Sequence, residues 1–493
     1  RTIPCQNPTC KAEVPLLRSF WLSSRENKQI ILYPIINENH IEFKISSGDF
    51  NKDKTVFNPD NGTISRAVMN CPVCGSVTND DVTRKLFQQG KSSQRMLVVI
   101  TQNDKKIEVK KEINEIVKQL QLGRVHDAIV DDLKNEGFQV EKKDFSVDVK
   151  SRNSFSLVYN DAIRFIEFKV LIRNGKIIVE QQGKAYRLAN AEDLSTYNEA
   201  EIFLERRRSE LLDIWGIDPI PDEELPFMSG VFNVPLYGMN QWGKLFNSRQ
   251  KVSLMVLYDK IKGILLGKKF ESLDKEYRKV IAAYLCILVG RLSNRLSTLA
   301  YWFIQGEKIQ PTFGRQALGM VWDYVELNPF STSSGGWGNN MQDITFAVKH
   351  LSKVSTPITK ITNLSAANLK YEDNYFDAVF TDPPYYNSVP YADLSDFFYV
   401  WYKRVLGDYF PELFSTPLSP KKYEMTEMAG WDPIRYPEKD KMFFEEQLKK
   451  AFQEVYRVLK PNGIAIIVYA HKSTSGWETV INALLDLILQ QKT

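Results

Sequence analysis

Two sets of residues in this 493-residue chain have the types and spacing for chemistry. The first is Asp382-Pro383-Pro384-Tyr385, within VFTDPPYYN (379–387), at the end of the apolar run FDAVFT. Paired prolines fix φ, offer no N–H and hold the neighbouring carbonyls stiff. Asp382 and the Pro383 carbonyl are then two acceptors beside the aromatic face of Tyr385. The ligand that fits is a planar ring with an exocyclic amino group, whose two N–H donors meet the two acceptors. Those bonds draw the amine lone pair out of conjugation, so the nitrogen becomes a better nucleophile toward an in-line methyl donor. A base inside a duplex must first be flipped out. In an open α/β sheet ligands bind beyond the carboxyl ends of the strands, where this motif would lie. Tyr386 and Asn387 continue the motif. His471 and Lys472 follow GIAIIVYA (463–470) at the same expected sheet edge and could touch substrate or a DNA phosphate. The plainer reading of DPPY is a rigid strand-to-loop turn, and that of His471 and Lys472 a solvated strand end.

The second set is four cysteines. Cys5 and Cys10 are separated by four residues, Cys71 and Cys74 by two, with Gly75 behind them. Thiolates suit tetrahedral Zn²⁺, and two short pairs on separate knuckles supply that geometry. Four thiolates leave no open position, so such a metal is structural. In a cytosolic protein paired cysteines read as ligands before disulfides; the alternative is four free thiols in a β-rich core. Cys286, alone in an apolar helical pattern, reads as core.

The rest of the chain must position these residues. With 43% hydrophobic and 25% charged residues the composition is globular, and the length predicts two to four domains. A net charge of +4 permits a polyanionic partner without requiring one. No charged segment with an apolar core follows Arg1, and the longest apolar run, IAAYLCILVG (281–290), is half a membrane span. A cytoplasmic protein with no membrane partner is expected, and the start at Arg1 hints that its own beginning is missing.

Residues 1–104 read as a zinc-ribbon-like β-rich module, with a hairpin of IILYPII (30–36) and HIEFKI (40–45). Residues 105–185 read as a small α/β insertion, two amphipathic helices and a hairpin turning at Asn174-Gly175. Residues 186–230 are a charged helix and a proline-bearing linker, GIDPIPDEELP. Residues 231–345 are mainly helical, including KEYRKVIAAYLCILVGRLSNRLSTLAYWF. In 346–493 strands and helices alternate, which argues an α/β unit: a parallel sheet with helices on its faces, GIAIIVYA being a buried strand. The long loop 410–440 interleaves Lys421, Lys422 and Arg435 with aromatics, a pattern that can grip nucleic acid, but it also carries Glu412, Glu424, Glu427, Asp432 and Glu438.

These residues also carry a resemblance. Asp382-Pro383-Pro384-Tyr385 resembles the catalytic motif of amino-directed DNA methyltransferases. There the aspartate and first proline carbonyl hold the target amine and the tyrosine stacks on the base; the aspartate form is commonest among adenine-N6 enzymes. Lys460-Pro461-Asn462-Gly463 before GIAIIVYAH resembles the turn ahead of the fifth strand of class I AdoMet methyltransferases. Ser365-Ala366 occupies the place of the acidic-alanine pair that frames the cofactor adenine in such enzymes, without its carboxylate. The ordered segments CQNPTCKAEVPLLRSFWLS, YGMNQWGKLFNSRQ, FGRQALGMVWDYVELNPFSTSSGGWG, TDPPYYNSVPYADLSDFFYVWYKR and YAHKSTSGWE are similar to the DUF1156 proteins, large adenine-specific DNA methylases, some of them from anti-phage gene clusters. The similarity spans most of the chain except roughly 105–182.

The resemblance implies a class I (Rossmann-like) methyltransferase core, partial here, with the zinc-ribbon-like module and helical segments as insertions. It implies S-adenosyl-L-methionine (AdoMet) as methyl donor, DNA as partner and a restriction-modification or anti-phage setting. In that family a glycine-rich AdoMet loop lies ahead of the first cysteine pair. This sequence holds no such loop, and GGWG (335–338) is its one glycine-rich candidate. Either the sequence is a fragment, or a partner chain or upstream segment supplies the loop. Cytosine-N4 or RNA methylation through the same socket, and a non-catalytic zinc-bearing DNA-binding subunit of a split methyltransferase, are the alternatives.

Overall fold

Strict alternation builds the amino-terminal hairpin: Ile41, Phe43 and Ile45 face inward while His40, Glu42 and Lys44 face out. The computed structural model, which describes the chain except residues 49–56, 103–104, 110–112, 355–358, 387–388, 472–473 and 491–493, pairs strand Lys28–Asn37 with His40–Ser47, Asn37 opposite His40. Strand Trp21–Arg25 completes a three-stranded sheet. The apolar core beside it is lined by Ile3, Val14, Leu16, Phe20, Ile64, Met69 and Phe87, with Cys5, Cys10 and Cys71 in its wall.

Next comes an antiparallel sheet in the spatial order Lys106–Val109, Lys176–Gln181, Arg164–Arg173, Ser154–Asn160, Phe145–Ser151. Asn174 and Gly175 take φ of 50° and 70°, which makes the expected two-residue hairpin turn. Helices Ile113–Gln121 and Asp127–Asn135 bury Ile116, Leu120, Ile129 and Leu133 against Phe155, Leu157, Phe168 and Val170 on one face of the sheet.

One further core cluster draws on residues from Leu204 to Tyr436. It joins helices Ala191–Trp215, Ser248–Leu265 and Lys275–Ser293 to the helix that follows DPPY, Tyr391–Leu406. That last helix drives Phe397, Val400, Trp401 and Val405 into the shared core, each about 2 kcal/mol of burial. The Trp401 ring stacks on Tyr258 at 5.8 Å and 11°. Arg404, its side chain fully enclosed, meets Glu223 at 3.0 Å and donates to the Asp218 carbonyl at 2.7 Å. The proline-bearing segment expected to be a linker is therefore stapled to this helix.

Two expectations change. The helical pattern from 275 toward 303 stops at Ser293. Asn294 receives the Thr312 and Phe313 N–H groups and the Ser297 hydroxyl receives that of Leu299, local bonds that compete with the helix. Residues Tyr301–Phe303 then pair with Lys308–Gln310 as a short hairpin. The second change concerns GIAIIVYA. Strands Phe376–Thr381 and Leu459–Ile467 do form a parallel pair, Phe380 opposite Ile466. One face is covered by helices Lys441–Val458 and Thr474–Gln490, through Phe444, Leu448, Phe452 and Val480 with Ile467 and Tyr469. On the other face Phe380 is 71% exposed and Ile464 63%, with Ile466 and Val468 also exposed. The strand is not the buried one expected: none of its residues is buried, because helices meet only one side of the pair. Among the described residues no helix is long and apolar enough to cross a membrane.

Candidate functional site

The four cysteines, 69 positions apart at the extremes, converge in the amino-terminal module. Their sulfurs all lie within 4.8 Å of one another. Cys5 and Cys74 are 3.7 Å apart, Cys10 and Cys71 3.8 Å. Sulfurs about 2.3 Å from a tetrahedral centre stand roughly 3.8 Å apart, so the cluster can hold a metal ion. All four thiols are free of disulfides. The second knuckle is shaped by Gly75 at φ +73°, whose N–H donates to the Cys71 carbonyl at 2.9 Å. The Ser76 hydroxyl and N–H pull the Cys74 thiol down to about 6, while burial pushes Cys71 up to about 12.

Asp382 leaves the strand Phe376–Thr381 at its carboxyl end, where Val468 N–H still donates to the Thr381 carbonyl at 2.8 Å. Pro383 is buried, Asp382 is exposed and Pro384, Tyr385 and Tyr386 are half-buried. The neighbouring Asp382 carboxylate, with some burial, pushes the Tyr385 phenol above its ordinary value. A carboxylate has two oxygens and several lone-pair directions, so exposed Asp382 can accept from a ligand.

Rings just beyond the second strand and from the two helices behind it line the same edge. The Tyr385 ring meets Tyr469 edge-on, 4.9 Å between centroids at 70°. Tyr386 packs on Phe444 at 5.6 Å and on His471 at 6.2 Å. His471 Nε2 lies 3.2 Å from the Tyr386 carbonyl. The Trp477 indole N–H donates to the His471 carbonyl at 3.2 Å, and its ring meets Tyr469 at 5.4 Å. Burial pushes the Tyr386 phenol up, and the charge of Glu427 adds to it. The arrangement offers an exposed carboxylate beside a wall of aromatic rings, which suits a planar ligand with an amino group.

The fold thus brings Asp382, Pro383, Pro384, Tyr385, Tyr386 and His471 together. Asn387 and Lys472 lie outside the described residues. Ser365 and Ala366 are exposed in a turn. The nearest anchor of that segment is Leu369, whose N–H bonds Glu454 and whose carbonyl is held by Arg457. Those partners lie where the helix Lys441–Val458 feeds the second strand, at the opposite end of the pair from Asp382. GGWG starts a helix, Trp337–Leu351, with Gly336 as its cap. A Cβ on Gly336 would stand 2.3 Å from the Ser331 carbonyl and one on Gly335 2.4 Å from Arg295. These glycines are explained by close packing of the chain on itself, and no strand leads into them.

Sequence reasoning missed Tyr469, Phe444 and Trp477. For Tyr469 a signal existed: period-2 alternation along GIAIIVYAH places Ile467, Tyr469 and His471 on one face. Phe444 and Trp477 come from helices whose docking no local pattern reveals.

The loop after Leu406 is tied down by its own charges. Lys421 pairs with buried Asp396 at 2.7 Å, Arg435 with Asp432 at 2.5 Å and with buried Asp393 at 3.5 Å. The Tyr436 hydroxyl donates to Asp393 at 3.0 Å, and Lys439 to the Glu424 carbonyl at 2.8 Å. Burial pushes the carboxyls of Asp393 and Glu424 up and the Lys439 ammonium down. Two of the three basic residues whose pattern could grip nucleic acid are engaged internally; Lys422, over the Tyr423 ring, is exposed.

No protein-family model, curated protein or solved structure matches this chain.

Proposed function

We propose that this chain is the base-gripping part of an AdoMet-dependent DNA methyltransferase acting on an exocyclic amino group, most consistent with adenine N6. The observation that carries the reading is Asp382-Pro383-Pro384-Tyr385 at the carboxyl end of a parallel strand, with a ring wall beside it. In this reading Asp382 and the Pro383 carbonyl accept the two amino N–H groups, Tyr385 stacks on the flipped base, and Tyr386 and His471 hold the loop's shape. The similarity of the ordered segments to DUF1156 methylases supports it.

AdoMet would supply the methyl group. The described residues do not fit it: Gly336 is closed in by the Ser331 carbonyl and Gly335 by the Arg295 side chain, and the segment that follows Ser365-Ala366 is anchored, at Leu369, at the other end of the strands. The donor site belongs to a partner chain or an upstream segment that completes a class I core, and the apolar face of Phe380, Ile464 and Ile466 is what such a completed sheet would cover. Zinc on Cys5, Cys10, Cys71 and Cys74 braces the amino-terminal module.

Mass spectrometry of DNA methylated by the chain with any co-purifying partner tests the reading. N6-methyladenine that disappears in Asp382→Ala, with the fold unchanged, is expected. N4-methylcytosine alone, or methylated RNA alone, overturns the adenine assignment, and full activity of Asp382→Ala overturns the site. The missing cofactor cradle favours one second reading, a non-catalytic zinc-bearing DNA-binding subunit. Titration with AdoMet separates the two, since no binding with or without the partner leaves the binding subunit ahead.

A further inference from the structure

We propose that Tyr469 is a positioning residue that sets the angle of the Tyr385 ring, the plate on which the target base stacks. The proposal rests on the base-gripping reading above. Tyr385 stands at the mouth of the site, and Tyr469 is its one ring neighbour among the described residues, edge-on at 4.9 Å and 70°. Edge-to-face contact aligns the positive rim of one ring with the negative face of the other, so it resists rotation of either.

Tyr469 is itself fixed from behind. Trp477 meets it at 5.4 Å and 83°, and His471 lies near-parallel to it at 6.4 Å and 16°. Trp477 is oriented by its bond to the His471 carbonyl, and His471 by the Tyr386 carbonyl. The chain of contacts therefore runs from two helices and the second strand into the loop after Asp382, and Tyr469 is the ring that hands it to Tyr385. The Tyr469 hydroxyl is buried beside the Tyr386 N–H but makes no hydrogen bond of good geometry. The ring, not the hydroxyl, carries the positioning.

The probe is a DNA duplex with 2-aminopurine in a mismatch, which flips at low cost and changes fluorescence when it stacks on an aromatic ring. The full chain and its variants are titrated against it, with Tyr385→Ala marking complete loss of stacking. Tyr469→Phe should behave as the unaltered chain. Tyr469→Leu, which keeps apolar bulk against Trp477, should bind roughly threefold to tenfold more weakly and lose most of the stacking signal. Trp477→Leu, which leaves Tyr469 in place but removes its backing, should give a partial loss and covers the case in which Tyr469→Leu does not fold. The proposal is overturned if Tyr469→Leu or Trp477→Leu keeps the full signal while Tyr385→Ala loses it, or if Tyr469→Phe loses as much as Tyr469→Leu. If Tyr385→Ala itself changes nothing, the base-gripping reading falls and the positioning role with it.

Discussion

A single exposed carboxylate carries the chemistry proposed for this chain, and it is the least buried member of its own motif. Asp382 follows the end of the strand at Thr381 and precedes buried Pro383. Removing it should therefore abolish methyl transfer while changing stability by less than about 0.5 kcal/mol, as for other surface substitutions; denaturant melts of Asp382→Ala beside the product assay check both halves. Cys71 is the opposite case, buried at 2% exposure in the module's core. In the proposed zinc site Cys71→Ser removes one of four soft ligands, so the metal content should fall and the thermal midpoint drop by about 10 °C or more. Elemental analysis paired with calorimetry reads this, and an unchanged midpoint in a metal-free protein would remove the metal's structural role.

Each element's fate follows from whether its apolar residues find a second surface. The helix Tyr391–Leu406 finds one and roots the DPPY loop in the large helical core. The parallel pair finds one only on the side of the two carboxyl-terminal helices. Parallel sheets are ordinarily covered on both faces, so the exposed row of Phe380, Ile464 and Ile466 is a surface this chain does not itself cover within the described residues. Phe380→Ser should therefore shift this chain's own unfolding free energy by less than about 0.5 kcal/mol, whereas a buried Phe would cost several. A loss of several kcal/mol by urea titration would mean that the face is packed in solution.

At the scale of the molecule, one buried charge cluster joins three regions. Glu307, from the short hairpin after the helices, meets Lys28 of the amino-terminal sheet at 2.8 Å and Arg25 at 2.9 Å, and accepts from Tyr186 of the insertion at 2.6 Å. Burial alone would raise its carboxyl, but the bonds from Lys28 and Tyr186 and the charge of Lys28 outweigh it, and the net shift is downward. A carboxyl lowered in the fold contributes stability that is present above its unfolded value, near 4.3, and lost as pH falls through its folded value. Glu307→Gln leaves Lys28, 8% exposed, without its charge partner, which should cost about 3 kcal/mol at neutral pH. The acid side of the stability–pH curve should flatten in the same variant, and a curve parallel to that of the unaltered chain would show that the cluster is not the linchpin.

What the sequence by itself determined was local. The hairpins at 37–40 and 174–175, the strand ahead of Asp382, the amphipathic helices around it and the pairing of cysteines at ligand spacing all follow from period, turn chemistry and side-chain type over a few residues. The helix-to-coil switch after Ser293 escaped because Asn294 and Ser297 end the helix through partners up to 19 positions away. Tertiary structure alone decided the rest. It brought two cysteine knuckles to within 4.8 Å, spent Lys421 and Arg435 on buried aspartates instead of solvent, and set Tyr469 against Tyr385 across two strands. It also left one face of a strand in water that composition had marked as buried. These outcomes depend on which surfaces meet, a property of the whole packed chain that no short window of residues contains.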